Sequence, residues 1–523
     1  MRTRARARVH RTAAVGVTLL LVGMLGACTS SSADKSSQET SQELRRFYEQ
    51  ELTFEPCEPY ASNETDAELF ANDQFECARM EAPMDYEDPG GETVSIALLR
   101  VPAKGGEPVG SLMTNPGGPG YAGMSFAPLI AAMAPDSPVL EQFDLVGIDP
   151  RGVGASTPTL DCYTDAEREN DEMSEKTTNV ASWTEEETRQ WMQQCAERTG
   201  SEEFLSHVGT RDAARDMDVL RAVLGDDKLS YFGASYGTRL GAVYAEMFPE
   251  NVRALVLDGP MDPYAGTMER RKQQYTGVQR SFELMGASCT EMPDCPLGSD
   301  PDAVTQRFQE IVQPLIDEPV PAGDGRVLSF SDAIDGVVAG LYSEASWPTI
   351  IKGIREVQNG RGDALIGLHD AYYQRYADGT YSNALEATEV INCLDEERHT
   401  PEQESKLRRT MTKIAPFLDT GRPLDDTRNM CEAWPVEPTL GYPYATDIKG
   451  LPDTLTVAVT GDPVAPYEEG THLAEALEGS LLTVEGEQHG AALIAGNTCV
   501  DDAVADYLVN LTSPPANARC TFE

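Results

Sequence analysis

The chain has 523 residues, 40% of them hydrophobic and 24% charged, which is ordinary for a globular protein and long enough for one large core with a sizeable insertion, or for two domains. Against 41 basic residues stand 86 acidic ones, a net charge of −45. Such a surface repels nucleic acid and anionic lipid headgroups and excludes both as partners; it reads as a solvated acidic surface that keeps an exported protein soluble, or as a field that favours cationic substrates.

The N-terminus carries the compartment. Met1 to Arg11 is arginine-rich, Thr12 to Leu25 is apolar, and Leu25-Gly26-Ala27-Cys28 follows. Together they predict an export signal over 1–27, with an apolar run too short for a comfortable transmembrane helix. Small residues before the cysteine resemble a bacterial lipobox, so Cys28 is expected to be lipidated and to open the mature chain, with a plain secretory signal as the alternative. Residues 28–45, rich in Ser, Thr, Gln and charge, read as a flexible tether. The expected location is the outer face of the cell membrane, with release outside the cell also open. Ten further cysteines remain, an even number that suggests five disulfides in an oxidising compartment. Pairing neighbours in order gives 57–77, 162–195, 289–295, 393–431 and 499–520. No His/Cys cluster has metal-site spacing, and neither a metal nor another cofactor is expected.

After the tether, a first block over 46–264 alternates strands and helices. Val94 to Val101 and Gly110 to Thr114 read as strands, the second running into Asn115-Pro116-Gly117-Gly118-Pro119-Gly120. A glycine-rich turn after a strand lets backbone N–H groups point into a site with no Cβ in the way. Phe143 to Ile148 is another buried strand, ending in Asp149-Pro150-Arg151, where Asp149 and Arg151 are expected to brace the site floor through charge-assisted hydrogen bonds. Cys162 to Gly200 is a polar excursion. Ala213, Met217, Leu220 and Val223 then recur at helical spacing.

Next come the strand from Leu229, the pentapeptide Gly233-Ala234-Ser235-Tyr236-Gly237, an amphipathic helix from Leu240 to Phe248, and a strand from Val252 to Leu257. Gly-x-Ser-x-Gly alone is common, but here an apolar strand precedes it and a helix follows, as a nucleophile elbow requires. Strands alternating with helices predict an α/β fold with a mostly parallel sheet covered on both faces. Residues 265–441 are mostly helical in pattern and read as an insertion capping the site, since one sheet cannot absorb so many helices. The core returns over 442–523, with strands at Leu455 to Val459 and Ser480 to Val484 and a last helix from Asp501 to Leu511.

A serine nucleophile needs a base and an acid that orients it, and the order serine, acid, histidine at the ends of successive strands is the α/β-hydrolase arrangement. Asp462 follows one late strand and His489 the next; Asp258, which also ends a strand, is the rival acid. Of six histidines only His489 sits in a loop just after a final strand.

On these blocks, together with Gly461 to Pro466 and His489-Gly490, the chain resembles the α/β-hydrolase peptidases of the prolyl aminopeptidase and tripeptidyl aminopeptidase family, in its exported bacterial lipoprotein branch. Asn115 stands where that family has His, a departure in a loop residue and not in the triad. The resemblance implies Ser235, Asp462 and His489 as triad and the N–H groups of Gly118 and Tyr236 as oxyanion hole. It also implies a peptide substrate with a free amino terminus, tripeptides or shorter pieces being released through an acyl-enzyme, and a cap acid to bind the ammonium. Asp395 is the expected acid, Glu396 the second choice, because both follow a cysteine expected to be bridged. A carboxylesterase is the competing enzyme class, since the same triad cleaves esters. Epoxide hydrolase or dehalogenase chemistry would need a carboxylate at Ser235, and a non-enzymatic surface lipoprotein is disfavoured by the complete constellation.

Overall fold

The computed structural model describes residues 42–522 other than Asp171. The expected signal and Cys28 lie outside the described residues. The last residues of the expected tether are not extended: a helix spans 42–48 and buries Phe47 in the main core.

Nine strands form the central sheet: β1 (Glu76–Pro83), β2 (Thr93–Val101), β3 (Gly110–Asn115), β4 (Phe143–Ile148), β5 (Leu229–Ala234), β6 (Val252–Asp258), β9 (Leu455–Val459), β10 (Ser480–Glu485) and β11 (Arg519–Thr521). Their order is β1-β2-β4-β3-β5-β6-β9-β10-β11; β2 runs antiparallel to both neighbours and every other pairing from β4 to β11 is parallel. A separate small hairpin pairs β7 (Val320–Pro321) with β8 (Val327–Leu328).

The period-2 geometry of the strands sorts their side chains between two cores. Tyr231, Leu255 and Leu257 face the helices Thr210–Val223 and Tyr236–Met247. Phe232, Ala254 and Val256 face Phe126–Met133 and Thr498–Asn510 on the opposite side. Parallel strands covered on both faces are near-continuously apolar, and β5, β6 and β9 have that character.

The interval between β6 and β9 does not behave as one body. Val278 to Leu418 supply a core of their own, in which Phe282 and Phe417 stack with ring centres 4.4 Å apart. The helix Ala384–Asp395 and the residues from Cys431 to Ala445 instead join the core beneath the elbow helix. All five expected disulfides are present, Cys57–Cys77, Cys162–Cys195, Cys289–Cys295, Cys393–Cys431 and Cys499–Cys520. The fourth ties the helix Ala384–Asp395 to the returning chain.

Asp149 and Arg151 brace different things. Asp149 accepts from the N–H groups of Met124 and Ala155 at 2.9 Å each, fixing the loop after β3 to the loop after β4. Arg151, fully buried, makes a two-pronged pair with Asp216 (2.7 and 2.6 Å) and also donates to the carbonyls of Pro83, Met84 and His207. Removing one partner of such a pair leaves an uncompensated buried charge. Asp216→Ala is therefore expected to lower stability by about 3–5 kcal/mol, measured by urea unfolding; a loss under ~1 kcal/mol would show that the pair is dispensable.

Candidate active site

Ser235 sits between β5 and the helix Tyr236–Met247 with φ 55° and ψ −122°, a conformation that L residues adopt only under constraint. Its N–H donates to the carbonyl of Asp258 at 2.8 Å, tying the turn to β6. The neighbours must be glycine for steric reasons. A Cβ on Gly233 would lie 2.4 Å from the carbonyl oxygen of Gly237, and one on Gly237 would lie 2.8 Å from that of Asn115.

The glycine-rich turn after β3 packs directly on the elbow: a Cβ on Gly117 would fall 2.9 Å from Ser235 Cβ and 3.1 Å from the N of Tyr236. Asn115 is buried, and its side-chain oxygen accepts the N–H of Gly117 at 3.0 Å. That bond occupies one amide of the turn. Among the described residues no acceptor takes the N–H of Gly118, while the N–H of Tyr236 opens a helix, where the first amides have no intrahelical partner. Two unspent donors thus flank Ser235. The residue that stands where the resembling family has His supports the turn from behind, a role with no signal in the sequence beyond its position.

The loops after β9 and β10 bring Asp462 and His489 together. His489 Nδ1 lies 3.0 and 2.9 Å from the two carboxylate oxygens, and Asp462 Oδ1 also accepts from the N–H groups of Val464 and Ala465 at 2.8 Å each. A carboxylate held by two amides orients the imidazole with its proton on Nδ1, leaving Nε2 unprotonated. Burial pushes the imidazole pKa down, but the charge and hydrogen bond of Asp462 outweigh it, so His489 stands above its ordinary value. Asp258, the rival acid, does not reach the ring. Its Oδ2 accepts from the N–H groups of Ala491 and Ala492 at 2.8 and 2.9 Å, anchoring the loop that carries His489, and burial pushes its carboxyl up to about 6. Gly259, at φ 63°, lets β6 end directly beneath the ring, where a Cβ would be 3.1 Å from His489 Cε1.

The insertion closes over this arrangement. The N–H of His489 donates to the carbonyl of Tyr342 at 2.8 Å, and the Tyr342 ring meets the imidazole edge-on at 5.3 Å. Ser343 forms a β-bridge with Gln488, and Glu344 N–H donates to the carbonyl of Glu487 at 3.1 Å. On the other side the hydroxyl of Thr388 donates to the carbonyl of Pro119 in the glycine-rich turn.

The expected ammonium-binding acids are not available for that role. Asp395 is 1% exposed, and its oxygens accept from the N–H (3.0 Å) and hydroxyl of Thr210, with Arg239 at 3.8 Å. It caps the helix Thr210–Val223 from below. Glu396 is bound to Arg270, with Arg271 at 3.8 Å. Helical phase turns Asp395 inward, and Glu396, extended just past the helix end, is turned to Arg270; neither is visible from the position of the bridged cysteine. Glu389, earlier on the same helix and overlooked in the sequence, lines a cavity of about 250 Å³ together with Glu404 and the cations Lys176, Arg271, Arg408 and Arg428; none of Ser235, Asp462 and His489 lines it. Burial pushes its carboxyl up to about 7 against the opposing charge of Arg271, which is itself paired with Glu404, and among the described residues no cation lies within ion-pair distance of Glu389.

A serine locked into a strand-to-helix turn beside two free amides, with an imidazole aligned by a buried carboxylate, is the equipment of a serine hydrolase. The family model for the alpha/beta hydrolase fold matches residues 110–493, and the chain belongs to the α/β-hydrolase family. It is 40% identical over 456 residues to the serine protease Hip1 of Mycobacterium tuberculosis, covering 85% of this chain and 87% of that one. Carboxylesterase B of the same organism is likewise 40% identical, covering 85% and 86%. The tripeptidyl aminopeptidase of Streptomyces coelicolor is 28% identical over 469 residues, covering 85% and 83%.

The support given by Asn115 has a measurable consequence. Asn115→Ala is expected to lower kcat by about 3- to 10-fold, the worth of one hydrogen bond that aligns an amide, without changing Tm by more than about 2 °C. Unchanged kcat would show that the turn holds its shape unaided.

Proposed function

We propose that the protein is a serine exopeptidase that releases tripeptides or shorter N-terminal pieces from peptides with a free amino terminus. Ser235 attacks the scissile carbonyl while His489 Nε2 takes its proton, Asp462 stabilises the imidazolium, and the N–H groups of Gly118 and Tyr236 receive the oxyanion. Collapse of the tetrahedral intermediate breaks the C–N bond as His489 returns the proton to the leaving amine. Water then hydrolyses the acyl-enzyme by the same route. The insertion over 265–441 serves as the cap.

The observation that carries the aminopeptidase reading is Glu389. A carboxylate that lines a partly open cavity and forms no ion pair can take a peptide's ammonium, and binding one would return it to the ionised form; it would do so in competition with Arg271, which faces it across the same cavity. The relatives named serine protease and tripeptidyl aminopeptidase support a peptide substrate; the relative named carboxylesterase supports the ester-cleaving alternative, which the same triad could perform.

One set of assays separates the two, comparing free-amine peptide anilides with their N-acetylated forms and with a neutral ester. Ser235→Ala should abolish turnover of all three, lowering kcat by roughly 10⁴-fold or more. Glu389→Gln should lose roughly 1.5–3 kcal/mol of selectivity for free over acetylated peptides and leave the ester nearly untouched. Glu389, with its carboxyl at about 7, and His489, raised above its ordinary value, must both be unprotonated. As pH falls, the free-amine substrate should therefore lose kcat/KM through two protonations and the ester through one. Equal losses on all substrates in Glu389→Gln, with parallel pH profiles, would rule out amine recognition there.

Membrane attachment through lipidated Cys28 is part of the same proposal. Cys28→Ala should shift the protein from the membrane fraction to the medium or leave it unprocessed; wild-type protein found freely soluble, with its N-terminus at another residue, would refute the anchor.

A further inference from the structure

Beside the oxyanion turn lies a second cavity, of about 450 Å³ and partly open, which none of Ser235, Asp462 and His489 lines. Its floor comes from the loops that leave the carboxyl ends of two neighbouring strands: Gly120, Ala122 and Ser125 after β3, and Gly154 and Thr159 after β4. Ligands of open α/β sheets collect at that edge. Two links tie the cavity to the turn that faces Ser235. A Cβ on Gly120 (φ 93°) would lie 2.7 Å from the carbonyl oxygen of Ala384, so the turn rests on the start of the helix Ala384–Asp395, and Ala384 itself lines the cavity. Tyr121 packs against Gly118, where a Cβ would meet its ring at 2.6 Å, and its hydroxyl donates to the carbonyl of Tyr372 at 2.8 Å. Asp370 and Ala371, just before Tyr372, form another part of the lining.

The charges of this lining are already matched. Asp370 is paired with Arg326 and Arg375 with Glu169, while Asp66 accepts from Ser62, Asn63 and Ser125. Such a wall favours neither a cationic nor an anionic ligand. What is unspent is uncharged: the side-chain N–H groups of Gln374 and the hydroxyls of Thr65 and Tyr381 make no hydrogen bond within the protein among the described residues. The Tyr381 ring has the guanidinium groups of Arg168 and Arg375 at 5.7 and 5.8 Å from its centre, contacts that fix it in place. A fixed aromatic face with scattered neutral donors and acceptors suits a peptide main chain whatever its side chains. The volume, in the range of ligand-sized clefts, holds about two or three residues.

We propose that this cavity receives the leaving part of the substrate, the residues on the C-terminal side of the cleaved bond, so that the enzyme is suited to peptides that continue well past that bond. The direction rests on the reading of Glu389 as the site of the amino terminus. With the acyl part running from Glu389 to Ser235, the leaving part needs a second place beside the oxyanion turn, and this cavity offers one. Because the cavity is partly open, the rest of a long peptide passes on to solvent. Binding energy from the leaving chain, remote from the reacting carbonyl, then serves to hold that carbonyl on Ser235.

The test uses the full-length protein and free-amine substrates that share one acyl part: trialanine anilide, with no residue beyond the scissile bond, and alanine peptides with one to four residues beyond it, the cleaved bond being identified by mass spectrometry. For the wild type, kcat/KM should rise by about 10-fold or more from one to three added residues and then level off. Ala371→Trp, which fills the cavity from an exposed position on the helix Asp363–Tyr373, should flatten that rise, and Tyr381→Ala should reduce it about 3-fold or more. Each variant is scored by the ratio of long peptide to anilide, which a general loss of folding or of catalysis does not move. A rise absent from the wild type, or kept in both variants, would overturn the proposal, and so would a loss seen only when the acyl part is varied. If esters are cleaved but no peptide is, the peptidase reading fails by itself, and the cavity is judged by calorimetry on Ser235→Ala. Affinity for the same peptides should then rise with length and lose that rise when Ala371→Trp is added; equal affinities would overturn the cavity's role as well.

Discussion

Everything around the site follows from one backbone angle. Holding Ser235 at φ 55° projects its side chain above the sheet, and the turn keeps that shape only because β5 and β6 grip it through the bond from Ser235 N–H to the carbonyl of Asp258. Asp258 then serves twice, its carbonyl holding the serine and its carboxylate holding the loop of His489. Nucleophile and base are thereby referenced to the same residue at the end of β6, so their relative position does not depend on the long insertion that separates them in sequence.

The charges near the site are ordered by how each is compensated. Asp462 meets an imidazole and two amides, Asp216 meets a guanidinium, and Asp149 meets amides alone; burial pushes Asp149 up to about 6. Where burial is met by backbone donors, as at Asp149 and Asp258, it still wins and the carboxyl rises. Glu389, pushed up by burial to about 7 against the pull of Arg271, has no ion pair of its own, and that is why it reads as a binding group and not as scaffolding.

Most of the core was legible in the sequence because its signals are local. β4 and β9 fall on the expected residues, and β3, β5 and β6 lie within a residue or so of them, since continuous apolar runs ending in Gly, Asp or Asn mark buried parallel strands. β1 was missed: its pattern is interrupted by Glu76, Arg79 and Glu81, and its place is fixed by antiparallel pairing with β2. β11, three residues long, has no periodicity to read and is set beside β10 with Cys520 bridged to Cys499. The site divided in the same way. Ser235, Asp462 and His489 announce themselves through strand-end motifs, and the structure brings His489 to Asp462 and not to Asp258. Asn115, Glu389 and the true surroundings of Asp395 depend on which face of a helix or turn meets which neighbour, and a single sequence does not state that.

The bridge from Ser343 to Gln488, with the bond from His489 N–H to the carbonyl of Tyr342, means that the roof of the site and the backbone of its base are one piece of hydrogen-bonded chain. The segment that seats the imidazole is therefore also the segment from which the roof hangs, so a change that disturbs the pairing of Ser343 with Gln488 bears on the base as well as on the cap.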